Sequence, residues 1–231
     1  MIKWYLNNWW KVMAQPIYFY TKLKEESWQE KPLTFLLISS WILAFLMAAA
    51  IFIIQYLPIG TTLVEGIRGF KFILILPVLL TLAFVFFLIT FFILGGALAL
   101  GLGIGFYLVG WVLHYIYLFL GGRGYLGRMI QSVYYSSAVV LAGIFPVIFS
   151  ILTRYGALDF SLFRVGYNLI YALTLLYVYG LWAVAGRKVY QVSRGRAFLG
   201  ALVPIIFLLL FGYLFDKMFL FKLEPWITPL K

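Results

Sequence analysis

Cysteine is absent from this chain of 231 residues, which excludes disulfides, thiol catalysis and cysteine metal sites. Histidine occurs once, at position 114. Acidic residues number only 7, and charged residues of both signs make up 11% of the chain. A soluble domain carries about a quarter charged residues and about half apolar ones. Here 65% of the residues are hydrophobic, 21% are aromatic, and the mean hydropathy is +1.03. A water-facing protein of this size cannot hide so much apolar surface, so the chain reads as an integral membrane protein.

The formal charge of +11 invites a nucleic-acid reading, but its placement argues against one. The basic residues form short clusters between apolar runs, where the cytoplasmic-loop bias puts them. No stretch joins a basic patch to a soluble fold. Residues 1–32 show no uninterrupted apolar core followed by a small-residue cleavage site. The first apolar run is therefore expected to serve as an uncleaved signal-anchor.

Six apolar stretches stand out, at 33–57, 72–94, 97–120, 130–153, 163–186 and 197–215. Each approaches the roughly 20 residues that cross a hydrocarbon core of about 30 Å. Alternation at period 2 is missing, so these are helices rather than barrel strands. Lys3, Lys11, Lys22, Lys24 and Lys31 lie before the first run, Arg123 and Arg128 after the third, and Arg187, Lys188, Arg194 and Arg196 after the fifth. If these segments share one side, they collect 11 of the 18 basic residues. That requires an even number of crossings between the arm and Arg123, so one of the three runs there should not fully cross. The exception expected is 72–94, split by Pro77 and joined through Gly95-Gly96 to the next run as a re-entrant or tilted helix. The fold expected is thus an all-α, polytopic helical membrane protein with five transmembrane helices, N-terminus inside and C-terminus outside. Six spans are the alternative.

Residues 1–32 read as an amphipathic interfacial arm. Trp4, Trp9, Trp10, Tyr18, Tyr20 and Trp28 suit the headgroup level, and the lysines suit anionic lipid. The transmembrane domain then covers 33–219 and a short tail 220–231. In the third run Ala97, Gly101 and Gly105 recur at four-residue spacing, with Ala99 and Gly103 on an adjacent line. Such small residues let helix backbones approach closely. Packing within the chain is the first expectation, and a homo-oligomer seam the second. Pro146 and Pro204 are expected to kink their spans.

Chemistry is sparse. No acidic residue falls mid-run, which argues against an ion-coupled carrier. Arg164 lies at a run start, where its head can snorkel to the interface. His114 has no further ligand at helical spacing and no orienting acid, so it is expected to bond a neighbouring helix near the cytoplasmic interface. No catalytic, metal or cofactor residue is assigned. Gln131, Ser132, Tyr134, Tyr135, Ser136 and Ser137, with Asn168, Tyr171 and Thr174, are expected to bridge helices, or else to line a small polar cavity. Residues 122–127 spell GRGYLG, the spacing of a dinucleotide fingerprint. That fingerprint needs a strand before it and a βαβ unit around it, and here a membrane helix precedes it. Gly121, Gly122 and Gly124 are instead read as a helix stop and tight turn, with Arg123 and Arg128 holding it on the cytoplasmic side. The following helix start could attract a lipid phosphate.

Three segments together resemble one family. "WWKVMAQPIYFYTKLKEESWQEKPLTFLL" sets a proline-plus-aromatic segment before a short acidic linker and a proline at the first span. "WVLHYIYLFLGGRGYLGRMIQSVYYSSA" carries a histidine, a Gly-Gly-basic-Gly turn and Tyr135 several residues on. "GRKVYQVSRGRAFLGALVPII" places Arg196-Ala197 before the last span. The pattern resembles the bacterial form of the Yip-domain proteins, integral membrane proteins named for interaction with Ypt/Rab GTPases. The resemblance implies five spans and a cytoplasmic N-terminus, and the expected location is a bacterial cytoplasmic (inner) membrane. The sparse chemistry, the glycine seams, the aromatic arm and the basic turns point to a non-enzymatic role in organising membranes or scaffolding a membrane protein partner. A transporter or flippase for lipid is the alternative. The D-L-Y-G-P element is missing, and Ser137-Ala138 stands where relatives often carry proline, so GTPase binding is not carried over. The residues singled out for lipid-headgroup or partner contact are His114, Gly121, Gly122, Arg123, Gly124, Arg128, Tyr135, Arg194 and Arg196.

Overall fold

A computed structural model describes residues 1–64, 67 and 70–229; Arg68 and Lys231, counted in the charge balance, lie outside them. Among the described residues there is no strand. The N-terminal arm folds into α1 (Ile2–Ala14) and α2 (Pro16–Lys22). The first long helix comprises α3 (Lys31–Ile51), a π-helical turn (Phe52–Tyr56) and α4 (Leu57–Val64). Then come α5 (Phe70–Phe119), α6 (Leu126–Tyr135), a 3₁₀ stretch (Ser136–Gly143) and α7 (Ile144–Arg154). The chain ends with α8 (Phe160–Val189), α9 (Arg194–Phe215), a π turn (Asp216–Leu220) and α10 (Phe221–Ile227).

Five helical segments are long and apolar enough to cross a membrane: Lys31–Gly60, Phe70–Phe119, Leu126–Arg154, Phe160–Val189 and Arg194–Ile227. The expected number stands, but it arises differently. The second and third apolar runs form one unbroken helix of 50 residues, so 72–94 is neither re-entrant nor separated by its glycines. Gly95 is a notch: a Cβ there would lie 2.1 Å from the Trp41 ring. The glycine lets that indole lie flat on the α5 backbone, a packing use common in membrane helices. At a rise of 1.5 Å per residue α5 is roughly 75 Å long, more than twice the hydrocarbon thickness. Its aromatic ladder with α3 runs from Trp41–Phe91 to Tyr56–Phe86, and Phe70, Ile73 and Val78 beyond it are largely exposed.

Two further expectations change. A Cβ built at Gly101, Gly103 or Gly105 would meet no atom of another element within 4 Å, so no side chain of this chain packs into these glycines, although the Gly103 carbonyl receives the Tyr134 hydroxyl of α6 at 3.4 Å. Pro146 sits in the first turn of α7, where a missing N–H costs least, while the irregularity lies before it in the 3₁₀ stretch. Pro204 remains inside α9.

The core gathers where α5, α8 and α9 meet the arm. Trp182, Tyr20, Tyr117, Tyr190 and Phe35 are among its largest fully buried side chains. Tyr117 fills a slot between Gly186 of α8 and Gly200 of α9 and donates to the carbonyls of Trp182 and Ala197, both at 3.0 Å. Trp182 in turn donates its indole N–H to Ser136 Oγ at 2.9 Å.

Candidate functional site

The arm and the two turns after α5 and α8 come together at one end of the bundle. The α5 helix stops because Gly121 takes φ +83°, a left-handed conformation that a side chain would disfavour. Gly122 N–H then reaches the Tyr117 carbonyl at 2.8 Å and Gly121 N–H the Leu118 carbonyl at 2.9 Å, the paired bonds of a Schellman stop. Gly122 and Gly124 have a different reason to be glycine. A Cβ on either would press on Tyr190, at 3.0 Å in both cases. The two turns interlock there, Arg123 N–H donating to the Tyr190 carbonyl at 3.0 Å. The G-x-G spacing thus records one loop lying on the ring of another.

His114 shares a hydrogen bond with the Tyr190 hydroxyl, and Tyr190 is fully buried. Burial pushes the Tyr190 phenol well above its usual range, so it stays neutral at physiological pH. Arg196 donates to the Leu120 carbonyl at 3.1 Å, satisfying one of the carbonyls left at the end of α5. Arg123 and Arg194 are exposed at this end, and Arg128 is half-buried. The structure therefore unites His114, Gly121, Gly122, Arg123, Gly124 and Arg196 around Tyr190, a residue that the sequence reading did not single out. Tyr135 sits apart from this group, buried against Phe19 and Phe35 of the arm side.

The arm is more than a surface element. Tyr5, Val12 and Phe19, seven residues apart, form one buried face together with Tyr20. Tyr5 shares a 2.8 Å bond with Ser39 Oγ, Trp9 donates to the Ala138 carbonyl at 3.0 Å, and Tyr20 donates to the Ser132 carbonyl at 3.2 Å. Tyr177 of α8 donates to Met13 O at 2.5 Å. Burial raises the phenol pKa of Tyr5, partly offset by its Ser39 bond, and raises that of Tyr20 further. These hydroxyls act as neutral donors that pin the arm to α3, α6, the 3₁₀ stretch and α8. The signal available in the sequence was the seven-residue repeat of Tyr5, Val12 and Phe19.

With its apolar face docked, the arm turns its cations outward. A polar groove of about 230 Å³ runs along it, lined by Lys11, Lys22, Lys24, Lys31 and Glu26 among others, with Tyr135 at its base. Lys31 is paired with Glu26 at 2.8 Å. Lys11, Lys22 and Lys24 have no ion pair among the described residues. The groove thus carries three uncompensated positive charges over an aromatic floor, an arrangement suited to phosphate or carboxylate groups.

Part of the polar set expected to bridge helices does so, whereas Ser132 and Thr174 bond carbonyls of their own helices and Ser137 Oγ has no partner among the described residues. Gln131 donates to the Lys24 carbonyl at 2.8 Å, Ser136 Oγ receives the Trp182 indole, and Tyr171 donates to the Leu208 carbonyl at 2.6 Å. They form no shared cavity: the set from Gln131 to Ser137 is buried near the arm, while Asn168 turns to Asp216. Arg164, whose side chain is 28% exposed, is paired there. Its Nε and Nη2 reach the two oxygens of Asp216 at 2.7 and 2.5 Å, and Asn168 adds a third bond at 3.1 Å. Asp216, which the apolar runs placed at an edge, lies inside the span Arg194–Ile227 because the helix continues through a π turn. A charge in such a segment is tolerated when it is paired, as here.

Among the described residues no three His, Cys, Asp or Glu side chains assemble as a metal site. No protein-family model, no curated protein and no solved structure matches the chain.

Proposed function

We propose that this is a non-enzymatic multi-pass membrane protein of the Yip-domain type that organises the membrane or scaffolds a partner at its basic end. The observation that carries the reading is the docked arm with its groove of three unpaired lysines. A rigid aromatic face holds those charges in place, so an anionic headgroup or an acidic partner segment meets a preformed surface. The same end bears Arg123, Arg128, Arg187, Lys188, Arg194 and Arg196. We take it as cytoplasmic by the positive-inside bias, in a bacterial inner membrane. The exposed line of Ala97, Gly101 and Gly105 is available for association with a second copy. The lipid-transporter alternative is motivated by the polar cluster from Tyr134 to Ser137 and Asn168, of which Tyr134, Ser136 and Asn168 are bonded to other helices.

Each lysine near an anionic surface contributes about 1 kcal/mol. Replacing Lys11, Lys22 and Lys24 together by Gln should therefore weaken capture on the order of a hundredfold. A photo-crosslinking residue at Tyr18, which is exposed on the groove wall, tests this in native membranes. The expected product is a discrete adduct with a membrane protein or an anionic lipid that disappears in the triple-Gln variant. An adduct unchanged by the variant, or none at all, would remove the reading.

A further inference from the structure

At the opposite end of the bundle, a second cavity has different chemistry. A cleft of about 560 Å³ opens between α3 with its π turn, α7, α8 and α10. Met47, Ile54, Val147, Phe163, Trp226 and Ile227 make its wall apolar. Its polar lining groups are already engaged: Gln55 donates to the Trp226 carbonyl at 2.9 Å, Ser150 to the Val147 carbonyl at 2.7 Å, and Tyr56 shares a bond with Thr90 at 3.0 Å. Nothing in the cleft asks for a polar ligand. Its volume falls within the range of small-molecule sites, and its lining suits an alkyl chain.

Arg154 is not part of this lining and lies one helical turn beyond Ser150, at the end of α7. Val147, Ser150 and Arg154 follow one another at spacings of three and four along the helix ending in α7, so they share the face turned to the cleft. Arg154 is only 8% exposed, yet it makes one hydrogen bond, from Nη1 to the Thr228 carbonyl at 2.6 Å. The acceptor lies next to Ile227, which lines the cleft. A guanidinium carries five N–H donors, and the others on Arg154 meet no acceptor among the described residues. The ion pairs among those residues are Lys31–Glu26 and Arg164–Asp216, so no described carboxylate balances Arg154. The unbonded nitrogens of Arg154 keep some accessible surface, so the guanidinium can offer them to an anion. Arg154 is also the last residue of its membrane-length segment, the depth at which headgroups lie.

We infer that this cleft is a site for an anionic membrane lipid, with one acyl chain between α3, α7 and α10 and its phosphate on the guanidinium of Arg154. The Gln55–Trp226 bond ties α10 across the chain as the outer wall. The site shares no residue with the lysine groove and stands whether or not the scaffolding reading holds.

The test is native mass spectrometry of the purified full chain, delipidated and titrated with phosphatidylglycerol or with phosphatidylcholine of identical acyl chains. The wild type should retain one phosphatidylglycerol on the order of tenfold more tightly than phosphatidylcholine, the scale of one charged contact. Arg154→Gln should abolish that preference, Arg154→Lys should restore part of it, and Val147→Trp, which fills the cleft, should lower binding of both lipids. The variant with Lys11, Lys22 and Lys24 replaced by Gln should keep the tight lipid, which separates this site from the groove. Unchanged melting of the variants shows that they are folded. Equal retention of both lipids by the wild type, or a preference that survives Arg154→Gln in a folded variant, would mean an annular lipid only and would overturn the assignment.

Discussion

Substituting Gly200 by alanine should change sign according to what occupies position 117. In the native chain a Cβ at Gly200 would lie 2.4 Å from the Tyr117 ring, whose side chain is fully buried and fixed by hydrogen bonds to the Trp182 and Ala197 carbonyls at 3.0 Å. The ring cannot swing away, because Gly186 closes its other side, with a built Cβ 2.3 Å from its Cζ. Overpacking of this kind costs typically ~1–3 kcal/mol, from which a helix-propensity gain of up to ~1 kcal/mol is subtracted. Gly200→Ala should therefore destabilise by up to about 2 kcal/mol. Tyr117→Leu alone should cost more, ~2–4 kcal/mol, through lost volume and loss of the one hydroxyl hydrogen shared between the two carbonyls, about 0.6 kcal/mol for such a bond in membranes. In that background the clash has gone, and Gly200→Ala should become neutral or stabilising by up to ~1 kcal/mol. Reversible unfolding of the detergent-solubilised chain in mixed micelles measures all four corners of the cycle. An equal effect of Gly200→Ala in both backgrounds would show that Tyr117 does not fill the α8–α9 slot.

The two glycine types along α5 should separate in the same assay. Gly95→Ala meets the Trp41 ring at 2.1 Å and should destabilise, whereas Gly101→Ala meets nothing within 4 Å and should raise stability by up to ~1 kcal/mol in the monomer. If Ala97, Gly101 and Gly105 form a dimer seam, Gly101→Leu should dissociate crosslinked pairs while leaving monomer melting unchanged. For the intramembrane ion pair, Arg164→Leu and Asp216→Leu should each lower the melting temperature more than the double replacement does, because each single change strands a charge. Additive losses would place both side chains in separate, solvated environments.

Much of the architecture was legible because charge placement constrains topology more tightly than hydropathy does. On the premise that the arm and the basic turns share one side, an even number of crossings before Arg123 favours five spans over six, and Gly121 with Gly122 marks the helix stop that the turn adopts. The merger of two apolar runs into α5 was hidden by a physical ambiguity: in lipid, Gly95-Gly96 reads equally as a break and as a notch for Trp41. Asp216 truncated the last run for a similar reason. A lone carboxylate signals a boundary unless its partner is known, and Arg164 lies 52 residues away. His114 was correctly expected to bond a neighbour, but Tyr190 could not be singled out among 17 tyrosines. The docking of the arm was detectable in the repeat of Tyr5, Val12 and Phe19, although the surrounding tryptophans speak equally for a free interfacial helix. Nothing in the sequence marks Arg154, since burial without an ion-pair partner is a property of the packed bundle alone.

The central claim, that the arm and both basic turns share one side of a five-span bundle, is open to one direct measurement. The chain has no native cysteine, so single cysteines at the exposed positions Tyr18, Tyr125 and Ser193, and at Tyr155 and Pro229, can be labelled by a membrane-impermeant maleimide in oriented vesicles. The first three should react from one side and the last two only from the other. Opposite accessibility of Tyr18 and Tyr125 would mean an odd number of crossings between them, and the five-span arrangement would be wrong.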